Sequence, residues 1–220
     1  MINIAIDGPS ASGKSTIAKQ LAKKLGYIHI DTGAMYRTIA YACIIEGADL
    51  EDEAACYEIA KRSDLSLKTD GSIHLNGEDV SRLIRTDAVS KGASMVSKFA
   101  SVREILVEKQ QNIARRKGFV MDGRDITSVV LTDAEVKIYQ TADVSVRARR
   151  RYDELIKAGH DVSYDTLYEE LVERDHRDMN RDVSPLVKVE DAIEIDTTEL
   201  SIDEIVTLIL KYIESRDLND

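Results

Sequence analysis

Tryptophan is absent from this 220-residue chain, and phenylalanine and proline occur only twice each. With Pro9 and Pro185 as the only prolines, no proline-rich linker or low-complexity tract divides the chain. Cysteine is equally scarce. Cys43 and Cys56 form no C-x-x-C pair and read as reduced, buried thiols in a reducing compartment. No apolar run is long enough to span a bilayer. The chain opens directly on an apolar strand rather than a secretory leader, so a cytoplasmic protein is expected. Excess positive charge is missing too. The net charge of −10 argues against duplex nucleic acid or an acidic membrane as the main partner. A site for a polyanion would have to concentrate arginine locally. No internal repeat is found, and the length suits one sizeable α/β domain with room for an insertion.

What is present is organised around Gly8-Pro9-Ser10-Ala11-Ser12-Gly13-Lys14-Ser15-Thr16, which fits the P-loop pattern G-x-x-x-x-G-K-[ST]. The apolar stretch 2–6 before it reads as a buried strand, and 17–25 after it is apolar at helical spacing and closed by Gly26. Strand, glycine loop and helix are the context the motif needs. Glycines let the backbone turn its N–H groups inward toward phosphate oxygens, and the helix dipole adds to that field. Lys14 supplies a mobile charge at the β- and γ-phosphates, and Ser15 offers a hydroxyl to Mg²⁺.

A second strand, 27–30, leads into Asp31-Thr32-Gly33 and a helix with Tyr36 and Arg37 in its first turns; another helix covers 51–62. This is the βαβ rhythm of a parallel sheet. The rhythm breaks at 65–80, where short alternating stretches separated by Asp70-Gly71 and Asn76-Gly77 predict a small antiparallel meander. A helix is expected over 87–100. Ser101-Val102-Arg103-Glu104 then has the S-x-x-E spacing of a capping box opening a helix to about 117. Strands follow at 119–121, ending in Asp122-Gly123-Arg124-Asp125, and at 136–139. A basic helix carries Arg147, Arg149, Arg150 and Arg151, a glycine-containing loop spans 157–161, and another helix runs from about 166 past Arg181. The last strand ends at Asp196, and Ser201-Ile202-Asp203-Glu204 is a second capping box. The final residues, 217–220, are expected to fray.

Ligands in such sheets bind beyond the carboxyl ends of the strands. Four strand ends carry polar clusters: the P-loop, Asp31-Thr32-Gly33, Asp122-Gly123-Arg124-Asp125 and Asp196-Thr197-Thr198. An ATP site alone does not need so many; a second anionic substrate facing the P-loop would. Positions 174, 177, 178 and 181 fall on one helical face and present three guanidinium groups and one carboxylate. Arg147, Arg150 and Arg151 share a face on the preceding helix. Two arginine-bearing helices joined by a glycine-containing loop suit a lid that closes over transferring phosphates.

These pieces together resemble the bacterial cytidylate kinases, nucleoside monophosphate kinases of the P-loop fold, over nearly the whole length. The resemblance rests on Gly8 to Thr16, on Ile30-Asp31-Thr32-Gly33-Ala34-Met35-Tyr36-Arg37, on Asp122-Gly123-Arg124-Asp125, and on Glu173-Arg174-Asp175 through Asn180-Arg181. It implies one domain over 1–220: a five-stranded parallel sheet flanked by helices (core 1–64 and 101–220), an inserted CMP-side subdomain at about 65–100 containing the meander, and a helical lid at about 147–181. It implies that Arg37, Arg124 and Arg181 grip the CMP phosphate, that Ser94, Arg103 and Asp125 read the cytosine, and that Arg174 and Asp178 hold the ribose. Asp31, Thr32, Gly33, Tyr36 and Gly123 complete the CMP side. ATP falls to Gly8 through Thr16 with Arg150, Arg151 and Arg177. Lys14, Asp122, Arg124 and Arg181 are the expected catalytic group, with Asp122 orienting magnesium-bound water and Ser15 the expected metal contact.

The implied activity is ATP-dependent phosphorylation of CMP and dCMP by a monomer, with Mg²⁺ accompanying ATP and neither nucleic acid nor membrane as partner. Two alternatives stay open at the level of sequence. One is a kinase for another small acceptor; the doubled arginine clusters favour one that carries a phosphate. The other is a nucleotide-dependent switch, against which stands the lack of an N-K-x-D-like guanine signature.

Overall fold

The computed structural model describes residues 1–68 and 71–216. Asp70 of the expected Asp70-Gly71 turn and the terminal stretch 217–220 lie outside them. In chain order the elements are β1 (Ile4–Asp7), α1 (Lys14–Leu25), β2 (Ile28–Asp31), α2 (Thr32–Ile45), α3 (Glu53–Arg62), β3 (Leu65–Leu67), β4 (Ile73–Leu75), β5 (Glu78–Asp79), α4 (Asp87–Val96) and α5 (Ala100–Ala114). They continue with β6 (Phe119–Gly123), β7 (Val136–Thr141), α6 (Val144–Lys157), α7 (Tyr164–Asn180), β8 (Ile193–Asp196) and α8 (Ile202–Ser215). The main sheet has five strands in the order β2-β6-β1-β7-β8, and a second sheet has three in the order β3-β4-β5. The chain divides into two compact units, Met1–Tyr27 with Lys117–Asp220, and Ile28–Arg116.

In the first unit β1 pairs in parallel with β6 on one side and β7 on the other, and β7 pairs with β8. A parallel sheet is covered on both faces, so its central strand must be apolar throughout. Ile4, Ala5 and Ile6 are accordingly fully buried. Ile17 and Leu21 of α1 and Val206 and Ile209 of α8 join Ile4 and Ile138 in one core. The final helix starts at the expected capping box: the Ser201 hydroxyl and N–H donate to the Glu204 carboxylate at 2.6 and 2.9 Å, and Glu204 N–H returns to Ser201. Because the strands run in parallel, their carboxyl ends lie along one edge. The register sets Asp7 opposite Gly123 and Tyr139, and Thr141 opposite Asp196. That edge carries the P-loop, Gly123-Arg124-Asp125 and Thr197.

The second unit holds the meander. Leu65 faces Leu75 and Leu67 faces Ile73, and Leu75 faces Glu78 across the two-residue turn Asn76-Gly77. Both turn residues have positive φ (52° and 88°), the geometry that favours Asn-Gly in a tight hairpin. Cys43 and Cys56 are free and buried in this unit's core, as expected.

Two helix boundaries depart from expectation. The helix expected over 87–100 ends at Val96. The next begins at Ala100, with Phe99 in the capping position and no side-chain cap. The S-x-x-E spacing at 101–104 is therefore not a capping box. Ser101 already lies inside the helix, and its hydroxyl and N–H both donate to Glu53 of α3, at 2.7 and 3.3 Å. A carboxylate from another helix takes the role that Glu104 was expected to fill, and Glu104 is left exposed.

Candidate nucleotide-binding site

The P-loop is shaped by its glycines and by what packs behind it. Gly8 has φ 151°, and a Cβ there would run into the backbone carbonyl of Gln140. Gly13, at φ 91°, stands at the cap of α1, where no side chain caps the first turn. An uncapped helix start directed at a glycine loop is a ready anion site. Lys14 is 5% exposed. Its Nζ folds back to donate to the Pro9 carbonyl at 2.6 Å and to Ser12 Oγ at 3.3 Å. Burial holds its ammonium well below the usual lysine range, with the Arg124 charge adding to the effect while Asp122, Asp7 and Asp178 oppose it. Ser15 Oγ donates to Asp122 Oδ2 at 2.6 Å.

A second charged cluster stands in the same unit. Arg124 Nε meets Asp178 Oδ2 at 2.8 Å, and Arg181 Nη2 lies 3.8 Å from Asp125 Oδ1. Burial alone would raise the Asp178 carboxyl, but Arg124, Arg174 and Arg181 hold it below its usual value. Burial would likewise lower Arg124, but Asp178 outweighs it and keeps the guanidinium firmly charged. The buried stripe of α7 is Leu171, Asp175 and Asp178, with Arg174 half-buried beside it and Arg181 just past the helix end. Arg177 lies outside this buried stripe. It is 48% exposed and lies 3.7 Å from Glu173, one turn back. On α6, Arg150 donates to the Thr197 carbonyl at 2.7 Å, and Arg151 pairs with Glu154 at 2.9 Å.

The remaining expected residues stand in the second unit. Asp31 caps α2 by accepting from Ala34 N–H at 3.0 Å and pairs with Arg37 at 2.8 Å. Arg85 approaches the same carboxylate oxygen at 3.8 Å. Burial would raise Asp31, but Arg37 and Arg85 bring it below the usual carboxylate range. Thr32 is the buried first residue of α2. A Cβ on Gly33 would sit 3.1 Å from both Arg37 and Asp31, so the small residue leaves that pair room. The Arg103 guanidinium lies over the Tyr36 ring at 5.4 Å and donates to the Ser97 carbonyl at 3.0 Å. Ser94 Oγ is buried and has no hydrogen-bond partner among the described residues. A buried hydroxyl left unsatisfied is costly, and a ligand is one way to satisfy it.

Sequence reasoning missed three residues that shape the first cluster. Asp7 is fully buried and accepts from Ile126 N–H (2.9 Å) and from the N–H and hydroxyl of Thr127 (both 2.7 Å). It thereby anchors the π-helical turn Ile126–Val130 directly after Asp125. The signal was an acid at the end of an otherwise apolar strand. Asp175 and Gln140 were the others with a visible hint, polar residues on a buried helix stripe and at a strand end. Gln140 Nε2 donates to the Ser12 carbonyl, which Thr197 Oγ1 also reaches.

The cytidylate kinase family model matches residues 4–215. The chain belongs to the cytidylate kinase family. A cytidylate kinase of Bacillus subtilis (strain 168) is 53% identical over 218 residues, covering 98% of this chain and 97% of that one. One from Bacillus licheniformis is 50% identical over 217 residues, covering 97% and 96%. Among solved structures, a gluconokinase from Sinorhizobium meliloti 1021 superposes with a TM-score of 0.51 at 16% identity, covering 99% of this chain and 94% of that one. The shikimate kinase from Acinetobacter baumannii gives 0.50 at 19%, covering 100% and 96%. At such identities these two speak for the fold alone. Among the described residues no helix is long and apolar enough to cross a membrane.

The buried Asp7 generates a pH prediction. Burial pushes its carboxyl up to about 6 from 3.8, against the hydrogen bonds from Thr127 and Ile126 that favour the charged form. The folded state thus holds the proton more tightly than the unfolded chain. This stabilisation is complete below about pH 4 and is lost as pH rises through 6, an effect of roughly 3 kcal/mol. Asp7→Asn removes this titration. The variant's unfolding free energy, measured by urea titration, is expected to gain on the parent's as pH rises from 4 to 6.5. Parallel pH profiles would contradict the assignment.

Proposed function

We propose that this protein transfers the γ-phosphoryl group of ATP to CMP and dCMP, giving ADP and the corresponding diphosphates. The observation that carries the reading is full-length membership of the cytidylate kinase family in a chain whose P-loop shares one sheet edge with a separate arginine–carboxylate cluster. One anion site suffices to hold ATP; the second suits an acceptor that is itself a phosphate ester.

A CMP phosphate oxygen attacks the γ-phosphorus in line, a new P–O bond forms, and the bond to the β-phosphate oxygen breaks to release ADP. The acceptor monoester is already largely ionised near neutral pH, its second pKa being about 6, so no strong general base is needed. Catalysis is positioning plus charge stabilisation. Lys14, held within the P-loop, is freed from the Pro9 carbonyl to meet the β- and γ-phosphates. Gly8 through Thr16 cradle the phosphates, and Arg150, Arg151 and Arg177 belong to the ATP side. Arg37, Arg124 and Arg181 grip the acceptor phosphate, and Arg174 and Asp178 hold the ribose. Ser94, Arg103 and Asp125 read the base, with Asp31, Thr32, Gly33, Tyr36 and Gly123 shaping that side.

The Ser15 hydroxyl and Asp122 carboxylate, hydrogen-bonded at 2.6 Å, form an all-oxygen pair. Such a pair fits Mg²⁺, which is commonly bound by one or two protein oxygens together with phosphates and water. When bound there, Mg²⁺ would neutralise charge on the ATP phosphates. Asp122 would also orient water around it.

The direct test is ADP release with and without acceptor. ADP formation is expected to depend on CMP or dCMP and to be slow without either. Equal turnover with and without CMP would contradict the reading. Base choice rests on Asp125 and Arg103. A carboxylate accepts from the cytosine amino group, and a guanidinium donates to its ring acceptors. Uracil would set a carbonyl oxygen against the carboxylate, so CMP is expected to exceed UMP in kcat/KM by orders of magnitude. Asp125→Ala is expected to lower activity on CMP and narrow that gap. Loss by the same factor on both bases would make Asp125 a scaffold residue.

A further inference from the structure

Arg147 and Asp175 are buried side chains that the transfer chemistry does not use. They face each other across the helix pair α6 and α7, with Arg147 Nη1 and Asp175 Oδ2 2.6 Å apart. Both also reach into the P-loop at a single residue. Asp175 Oδ1 accepts from the Ser10 N–H at 3.3 Å, and Arg147 Nη1 donates to the Ser10 carbonyl at 3.1 Å. Arg147 Nε is spent on the Ala142 carbonyl at 2.9 Å, so the guanidinium is tied into backbone and carboxylate together. Arg147 is 5% exposed and Asp175 8%.

The next residue explains why such a clamp is needed. Ala11 has φ 56°, a left-handed conformation that costs a non-glycine residue about 1–2 kcal/mol. A strained residue persists only where its surroundings over-determine it. The Ser10 carbonyl belongs to the peptide that enters Ala11, and Arg147 holds that carbonyl. Gln140 and Thr197 hold the Ser12 carbonyl on the other side of Ala11. With these carbonyls tied, the intervening loop keeps a fixed course.

We propose that Arg147 and Asp175 are positioning residues for ATP: a buried ion pair that fixes the backbone of Ser10 and links the two arginine-bearing helices to the phosphate-binding loop. This rests on the P-loop being the ATP site, and it assigns neither residue a contact with substrate. The ion pair acts as a unit, since removing either partner leaves the other buried and unpaired.

The test uses Arg147→Lys, Asp175→Asn and the double variant, with ATP affinity by calorimetry, separate KM values for ATP and CMP, and thermal unfolding of each protein. ATP affinity is expected to fall about tenfold or more in each single variant, the scale of a lost charge-assisted contact. The KM for CMP is expected to stay within about twofold, and the double variant to lose little beyond either single one. Unchanged ATP affinity in a folded variant, or equal weakening of ATP and CMP, would overturn the proposal. If a variant fails to fold, amide hydrogen exchange on the unaltered protein decides. The Ser10 amide is expected to be protected without nucleotide, and rapid exchange there would overturn the clamp. The family reading is judged separately, by CMP-dependent ADP release in the unaltered protein.

Discussion

A lysine ammonium buried without a full counter-charge is the constraint on which the first unit depends. Lys14 has a carbonyl and a hydroxyl as its hydrogen-bond partners. Its surroundings push it toward the neutral form, burial first and the Arg124 charge next. A neutral core would not tolerate that arrangement, because taking a charge out of water is expensive unless it is paired. In the proposed function the phosphate chain of ATP supplies the missing charge. The glycines, the uncapped start of α1 and the clamped carbonyls at Ser10 and Ser12 then belong to one design: a pocket whose fixed dipoles and mobile cation are balanced by a polyphosphate.

The same logic accounts for the carboxylates. A protein of net charge −10 pairs several of its buried or half-buried guanidinium groups with carboxylates. Asp178 holds Arg124, Asp175 holds Arg147 and Asp31 holds Arg37. In the proposed function Arg124 and Arg37, paired in this way, keep their orientation without a ligand, which lowers the entropy lost when the acceptor phosphate binds, while Arg147 stays with the Ser10 backbone.

Local chemistry with a fixed spacing was legible in the sequence. The strand before Gly8, the glycine loop and α1 could be read directly, and so could the Asn76-Gly77 turn and the capping box at Ser201. Each depends on residues a few positions apart. The S-x-x-E at Ser101 has the same spacing but fails, because Glu53, forty-eight positions earlier, captures the serine first. Asp7, Gln140 and Asp175 carried a hint by position, but what each one holds could not be read, for the same reason. Their partners, Thr127, Ser12 and Ser10, are distant in sequence and meet them only once the parallel sheet has brought the strand ends to one edge. Helical spacing groups Arg174, Arg177 and Asp178 but does not say which side of α7 is buried; the buried stripe runs through Asp175 and Asp178 and leaves Arg177 exposed.

Burial lowers the Lys14 pKa, and in the proposed function the phosphates of ATP raise it again. Calorimetry of ATP binding in buffers of different ionisation enthalpy, at a series of pH values below the ordinary lysine value of 10.5, measures the protons exchanged. If the phosphates shift the ammonium back toward its ordinary range, ATP binding takes up protons in the parent, and Lys14→Ala abolishes that uptake. Equal proton exchange in parent and variant across the range would contradict the account.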